Sequence, residues 1–306
     1  MSELATMFDA TLLNSTLRFV APILLAALGG MLCQRAGIFN IALEGLMLTG
    51  AFAAVVGSYV TGSAVGGVLT AIAAGALMAT LMAVFAVSFK GDSIVVSIAI
   101  NLLAVGLTAY LLRAFFGVKG AFLDPRLVGL DRIELPGIEN LPVLGPFLSG
   151  HTGLVYLSWI LVGVSYWLLF HHVWGLRIRG VGEHPEAASS LGVSVSRIQY
   201  GVLIVSGVLC GLAGAQLSLG NVTLFVENMS AGRGWIAVVA VMLGQANPFG
   251  VAVTSLLFGF TDSLGFRLQG LNLPSQLTEA LPYLVTLAGL FVVAAHSRRR
   301  GQKRDT

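Results

Sequence analysis

The hydrophobic positions along this chain fall into long uncharged runs, separated by short clusters of charge and glycine. A charge at the centre of a helix in hydrocarbon costs roughly 2.5 to 3.5 kcal/mol, so the gaps between charges mark candidate membrane spans. A spanning helix needs about 20 mostly apolar residues. Residues 11–33 form the first run, with Arg18 near its outer end. From Gly45 to Phe89 there is no charge, which is room for two helices, with a turn placed in the Gly/Ser-rich stretch GSYVTGSAVGG (57–67). Ser93 to Leu112 and His151 to Phe170 each supply one more, and Ile198 to Val226 supplies a long one. Gly234 to Thr261 is interrupted by Gln245-Ala246-Asn247-Pro248 and reads as two short spans or one broken span. Ala280 to Ser297 is the last. The pattern predicts an all-α polytopic membrane protein of about nine spanning helices, within a range of eight to ten, built as a single transmembrane domain over 1–306.

Composition agrees with the pattern. Of the 306 residues, 56% are hydrophobic and 10% charged, against roughly 25% charged in a soluble domain. Water-soluble enzyme, disordered chain and nucleic-acid binder all fit poorly. The net charge of +3 owes much to a C-terminal run, Arg298-Arg299-Arg300 with Lys303 and Arg304. After an apolar segment such a run reads as an anchor at the membrane surface. The bias of lysine and arginine toward the inner side predicts that this tail, 297–306, is cytoplasmic. Counting back through nine spans puts the 171–197 loop (Arg177, Arg179, Arg197), Lys90 and Arg35 on the same side. The N-terminus and the 117–150 loop then lie outside. That loop sets Lys119, Arg126 and Arg132 against Asp124, Asp131, Glu134 and Glu139 and is not net basic, while Arg233 and Arg267 also fall outside. The leader-like signal of a basic N-terminus is missing from MSELATMFDA, so the first span is expected in the mature protein. Cys33 and Cys210 lie in apolar runs and imply no disulfide framework.

The residues that could carry chemistry are few. There is no GxxxxGK[ST] phosphate cradle, so ATP hydrolysis by this chain is not expected. The five histidines, His151, His171, His172, His184 and His296, show no metal-ligand spacing. No nucleophile–base pair is legible. The expectation is a chain that is not an enzyme, with no catalytic residue, metal or cofactor of its own. Polar residues within apolar runs are more informative, because at membrane depth they line a bundle interior or a wet path. These are Asn40, Glu44, Asn101, Gln216, Asn221, Glu227, Asn247 and Asp262. Each can instead serve as a helix cap or a buried hydrogen bond. Asn40 is placed to cap the second helix, with Glu44 in its first turn, where a carboxylate suits the helix dipole. As a group, Asn40, Glu44, Asn101 and Gln216 are the candidate path for a polar, uncharged solute. The 38 glycines suit close packing of helices in lipid. GVLCGLAGA (207–215) sets Gly207, Gly211 and Gly214 with Ala215 on nearly one face and reads as a tight helix contact. The blocks 37–54 and 222–239 show a faint echo of each other.

The strongest local signal is WGLRIRGVGEHPEAASSLGVSVSRIQY (174–200). Pro185 suits the first turn of a short helix, Glu186 its N-terminus, and Gly192 its end. Ala187 and Ala188 leave a smooth, small surface. On local physics this is a connecting helix, or a small rigid knob able to dock in a partner's groove.

That stretch, followed by SGVLCGLAGAQLSLG (206–220), closely resembles the permease subunits of ABC importers for nucleosides and simple sugars. The likeness continues in MSAGRGWIAVVAVMLGQANPFG (229–250) and LLFGFTDSLGFRLQG (256–270), and on the N-terminal side in AGIFNIALEGLMLTGAFAA (36–54). The segment IELPGIENLPVLGPFLSG (133–150) is similar to that of nucleoside-type members. The resemblance implies a membrane subunit of an ATP-driven importer in a bacterial plasma membrane, paired with a paralogous permease. ATP and magnesium would act on a separate cytoplasmic ATPase with two cassettes. An extracytoplasmic binding lipoprotein would deliver the solute. By position, Glu183, His184, Pro185, Glu186, Ala187, Ala188 and Gly192 would form the coupling helix to the ATPase and its flanks. A simple sugar is the alternative cargo, and a standalone secondary transporter or channel the alternative class.

Overall fold

In hydrocarbon a backbone has no water to bond with, so each N–H and C=O must be paired inside the chain, and long uncharged runs achieve this as helices. The computed structural model describes residues 10–134, 149–268 and 284. Helices α1 (Ala10–Arg35), α2 (Leu43–Thr61), α3 (Ala64–Ala83) and α4 (Ser93–Phe116) precede the long loop at 117–152. Then come α5 (Gly153–His171), α6 (Val173–Glu183), α7 (Pro185–Ser190), α8 (Val195–Ala215), α9 (Arg233–Leu243) and α10 (Pro248–Leu268). Both α3 and α8 run on into π-helical turns, at Val84–Ser88 and Gln216–Val222. Among the described residues 7 helices are long and apolar enough to cross a membrane, and α9 is a shorter apolar one. The span expected at 280–297 (apart from Leu284), the tail 297–306 and the segment 135–148 lie outside the described residues.

Element boundaries differ from the expected ones for physical reasons. The turn between α2 and α3 is only Gly62-Ser63, with Gly62 in the left-handed region at φ 63°. The glycines of 57–67 serve packing instead of a loop: a Cβ on Gly67 would meet the Ala54 carbonyl at 2.6 Å. Arg113 does not end α4, because its guanidinium reaches Glu227 at 3.6 Å, and the helix runs on to Phe116. The break at 245–248 makes two helices, with Gln245 and Ala246 both at positive φ. The all-helical expectation is modified only by four two-residue strands. β1 (Ala121–Phe122) pairs antiparallel with β4 (Phe225–Val226), and β2 (Arg132–Ile133) with β3 (His151–Thr152).

Helix α8 is central, packed on α1, α2 and α3. Lipid tails are as apolar as leucine, so helices in a membrane associate through close van der Waals packing, and small residues permit it. The expected tight contact is present. A Cβ on Gly211 would strike the Ala71 carbonyl, one on Gly207 the Gly75 carbonyl, and one on Gly214 the Met47 carbonyl. From α2, a Cβ on Gly50 would lie 2.6 Å from the Gly211 Cα. Backbone thus lies against backbone on two sides of α8.

The helix ends gather into two groups. At one end the Ser88 hydroxyl and the Tyr200 phenol lie 2.6 Å apart, and Arg35 Nε donates to the Ala246 carbonyl at 2.6 Å. At the other, Arg18 donates to the Asn221 carbonyl at 3.2 Å, Ser58 to the Val128 carbonyl at 2.9 Å, and the Leu130 amide to the Leu219 carbonyl at 3.0 Å.

Replacing Gly211 by Ala forces a methyl into backbone with no flexible side chain to yield, an overpacking cost of about 1–3 kcal/mol. Gly201, on the same helix, would set its Cβ in open space. We expect Gly211→Ala to lower the melting temperature of the purified protein in detergent, and Gly201→Ala to leave it unchanged or raise it. Equal melting temperatures for the two variants would contradict the packing described.

Candidate translocation and coupling sites

After Arg35 the chain does not enter α2 directly. Residues 36–42 are irregular, and Asn40, Glu44 and Asn101 beside them are all buried. An irregular backbone away from water must have each of its polar groups met. Asn40 Oδ1 accepts from the Ala42 amide at 2.9 Å, two residues on, and its Nδ2 donates to the Ser206 hydroxyl at 3.1 Å. The Ile41 amide donates to Ser97 Oγ at 3.2 Å. Asn101, about two turns into α4, donates to the Ile41 carbonyl at 3.0 Å and accepts from the Gly45 amide at 2.7 Å. Asn40 therefore makes an Asx-type turn just before α2 instead of the expected cap, for the capping position itself is Ala42.

Glu44 lies in the first turn of α2, as the sequence predicts, and its carboxylate reaches across to a second helix start. Oε1 accepts from the Gly232 amide at 2.8 Å and Oε2 from the Gly234 amide at 2.6 Å. The first N–H groups of any helix lack partners within it, and a carboxylate there meets both their hydrogen-bonding need and the helix dipole. A Cβ on Gly234 would collide with the backbone of Glu44. The starts of α2 and α9, which lie in the two faintly similar blocks, thus abut. Gln216 belongs to the other end. Its Oε1 accepts from Thr152 Oγ1 at 2.6 Å and its Nε2 donates to Asn221 Oδ1 at 3.1 Å, tying the π-helical end of α8 to the start of α5. So three of the four candidate path residues cluster at the α2 and α9 starts and the fourth stands apart, all with their polar atoms bonded to the chain in this conformation. Ser97, Ser206 and Gly234 complete the cluster. No sequence signal marks them, because a serine in an apolar helix ordinarily bonds back to its own helix.

The segment from 183 to 192 is built as its residues predict. Pro185 opens α7, Glu186 is in its first turn, and Gly192, at φ 82°, follows the Leu191 cap. Glu183, His184, Pro185, Glu186 and Ala187 are exposed, Leu191 is 85% exposed, and Ala188 is buried. Ala188 is the anchor: its carbonyl accepts from Val193 and its amide donates to the His184 carbonyl, each at 3.0 Å. The preceding helix, α6, is bolted to α1, because a Cβ on Gly182 would strike the Arg35 carbonyl and Gly37 approaches Gly182 in turn at φ 79°. Arg35 then bonds the Gln245 and Ala246 carbonyls between α9 and α10, at 3.3 and 2.6 Å. The exposed knob, the end of α1 and the α9–α10 turn form one connected unit. Arg35 and Gly182 as its fasteners escaped sequence reading, since one looked like a topology signal and the other like loop composition.

On the opposite side, the described part of the segment after α4 is fixed to the bundle. The Arg126 guanidinium lies 4.2 Å above the Tyr59 ring. The same group beside Asp124 holds that carboxyl below the usual carboxylate range. No group of three or more metal-ligating side chains occurs among the described residues.

Glu44→Ala removes both acceptors from two N–H groups at a buried helix start, each worth about 1–3 kcal/mol when left unpaired. We expect a marked drop in the melting temperature of the purified protein, followed by tryptophan fluorescence, with Glu44→Gln intermediate because one carbonyl oxygen remains. A wild-type melting temperature for Glu44→Ala would show that the carboxylate is not the fastener of α9.

Comparison with known proteins bears on the same elements. The guanosine ABC transporter permease protein NupQ of Bacillus subtilis is 35% identical over 287 residues, covering 90% of this chain and 89% of the relative. TsgC13 of Haloferax volcanii, assigned as a glucose ABC transporter permease, is 34% identical over 92% of this chain and 91% of its own. The nucleoside ABC transporter permease protein NupC of Lactococcus lactis is 34% identical over 88% of this chain and 87% of its own. A solved structure assigned to the metal-chelate type of ABC transporter, in an inward-facing conformation, matches with a TM-score of 0.55 at 17% identity, covering 91% of this chain and 85% of that one. This last likeness speaks for the fold alone. The model of the branched-chain amino acid transport system / permease component family matches residues 12–293, and the chain belongs to that family of ABC transporter permeases.

Proposed function

We propose that this chain is one membrane-spanning subunit of an ATP-driven importer that moves nucleosides inward by alternating access, without changing them chemically. The observation that carries the reading is the connected unit at one end of the bundle: α7 exposed, anchored by Ala188, and joined through Gly182 and Arg35 to the turn between α9 and α10. A helix this short gains little by itself; held rigidly on the bundle, it is a handle. A separate cytoplasmic ATPase, carrying two cassettes with ATP and magnesium, would grip Glu183, His184, Pro185, Glu186, Ala187 and the Gly192 turn. Closure of the cassettes would shift α7 and, with it, the ends of α1, α9 and α10. The two states must differ in their contacts with both ATP and solute for such a linkage to work.

This reading sets the α7 end in the cytoplasm, together with Arg35, Lys90, Arg177, Arg179 and Arg197. The loop 117–150 then faces outward, where a binding lipoprotein would deliver solute. A paralogous permease would complete the path, in a bacterial plasma membrane. Nucleosides are favoured because two relatives at 34–35% identity are named for guanosine and for nucleosides. The likeness to TsgC13 supports a simple sugar as the second reading.

The test is uptake by the importer reconstituted from all its subunits. Glu186→Arg, and deletion of 184–191, are expected to abolish uptake and to weaken co-purification of the ATPase while the permease still reaches the membrane. Normal uptake by either variant would refute the handle, and solute movement by this chain alone without ATP would refute the importer reading.

A further inference from the structure

At the end opposite α7 a cavity of about 370 Å³ lies among α1, the π-helical end of α8, the loop before α9, and the last turn of α10. Its wall includes Arg18 and Phe19 of α1, Asn221 of the π turn, Met229, Arg233 and Phe266. None of the four candidate path residues lines it, and its volume is in the usual range for small-molecule pockets, about 300–1,000 Å³. The backbone around it is unusual. A π-helical turn, which is rare and frequent at functional sites, supplies Asn221. Thr223, Asn228 and Ala231 of the adjoining loop all hold positive φ, at 53°, 59° and 47°. Strain of this kind persists only where the surroundings enforce it, and it gathers at ligand-binding sites.

The chemistry of the wall is uneven. Most of it is apolar, with aromatic rings on one side: Phe19 and Phe266 stand 6.0 Å apart, tilted by 47°. Phe266 presents a ring that is 66% exposed. Two guanidiniums stand nearby. Arg18 donates to the Asn221 carbonyl at 3.2 Å, which uses one of its five N–H groups. Arg233 lies 3.5 Å from Asp262, and its guanidinium sits 5.9 Å from the Phe19 ring centre. The Arg233 and Asp262 side chains are only 22% and 13% exposed.

We infer that this cavity is the permease's own recognition site for a nucleoside, with the base lying on Phe266 and the ribose hydroxyls turned to Arg18 and Arg233. The inference rests on the proposed reading of the chain as a nucleoside importer and deepens it. A sugar hydroxyl accepts readily from a guanidinium N–H, and the wall carries two guanidiniums. A planar base has apolar faces that stack on an aromatic ring whatever its sequence of ring substituents. A free hexose carries hydroxyls on every side, and an apolar wall would leave several of them unpaired at considerable cost. The same cavity therefore sorts nucleosides from simple sugars. Its few polar contacts also suit a solute that must be released, since a transport site has to bind weakly enough to let go.

The experiment is nucleoside uptake by the complete reconstituted importer, with guanosine, uridine, free ribose and glucose as probes. Phe266→Ala should raise KM for both nucleosides about tenfold with kcat little changed, and Phe266→Trp should restore it. Arg18→Gln should raise KM for the nucleosides more than for a free base used as competitor, and Arg18→Lys should recover part of it. Assembly of each variant is checked by co-purification of all subunits. A wild-type importer that moves neither nucleoside overturns the proposed function and this site with it. Wild-type transport of nucleosides with unaltered KM in Phe266→Ala and Arg18→Gln overturns the site alone. So does a phospholipid that co-purifies with the wild type and is lost from Arg18→Gln while KM stays unchanged, for the guanidiniums would then be holding a lipid headgroup.

Discussion

The structure turns on how a helix can begin inside a bundle with no water at hand. Both α2 and α9 start among other helices, and the orphan N–H groups of each start have to be met by side chains. One carboxylate does this for α9, and two amides with two serine hydroxyls do it for the approach to α2. Remove that set and both starts would have to unwind toward a solvent that is not there. The cost of burying a carboxylate at Glu44 is offset because two amides and the positive end of α9 face it. Discontinuous helices recur in transporters, where their ends build substrate and ion sites.

From that cluster the consequences run in both directions along the chain. Toward one end, α9 leads to the turn held by Arg35, and Arg35 leads through Gly182 to α7. Toward the other, Arg233 follows directly after Gly232 and stands in the wall of the cavity at the end opposite α7. The eleven-residue helix α9 thus spans the distance between the turn held by Arg35 and the cavity. Its length, near 16 Å at 1.5 Å per residue, is too short to cross a bilayer.

Much of this was legible in the sequence. The uncharged runs located seven helices, because the penalty for charge in hydrocarbon is large and leaves visible gaps. Pro185, Glu186 and Gly192 announced α7 through local backbone preferences alone. Gly207, Gly211 and Gly214 announced the close contact of α8. The break at 245–248 was visible from Pro248. What could not be read was the pairing of distant residues. Glu44 was marked as a helix-start carboxylate, but nothing near it in sequence names Gly232 and Gly234, 188 and 190 residues away. Glycine in 57–67 looked like a loop because the same residue serves turns and tight packing. The cavity was invisible for a related reason: Arg18, Arg233 and Phe266 come from three separate runs, and nothing along the chain names them as neighbours.

The mutual contact of α8 with α2 and α3 through glycine has a kinematic consequence. Surfaces of side chains can slip by changing rotamers, whereas carbonyls locked against Cα atoms have no such freedom. The three helices must therefore travel as a single slab, and any opening of a passage has to occur along its margins, where α4, α5 and α10 expose broad apolar faces. A search for hinges in this protein belongs at those borders and at the residues with left-handed backbone, Gln245 and Ala246 among them.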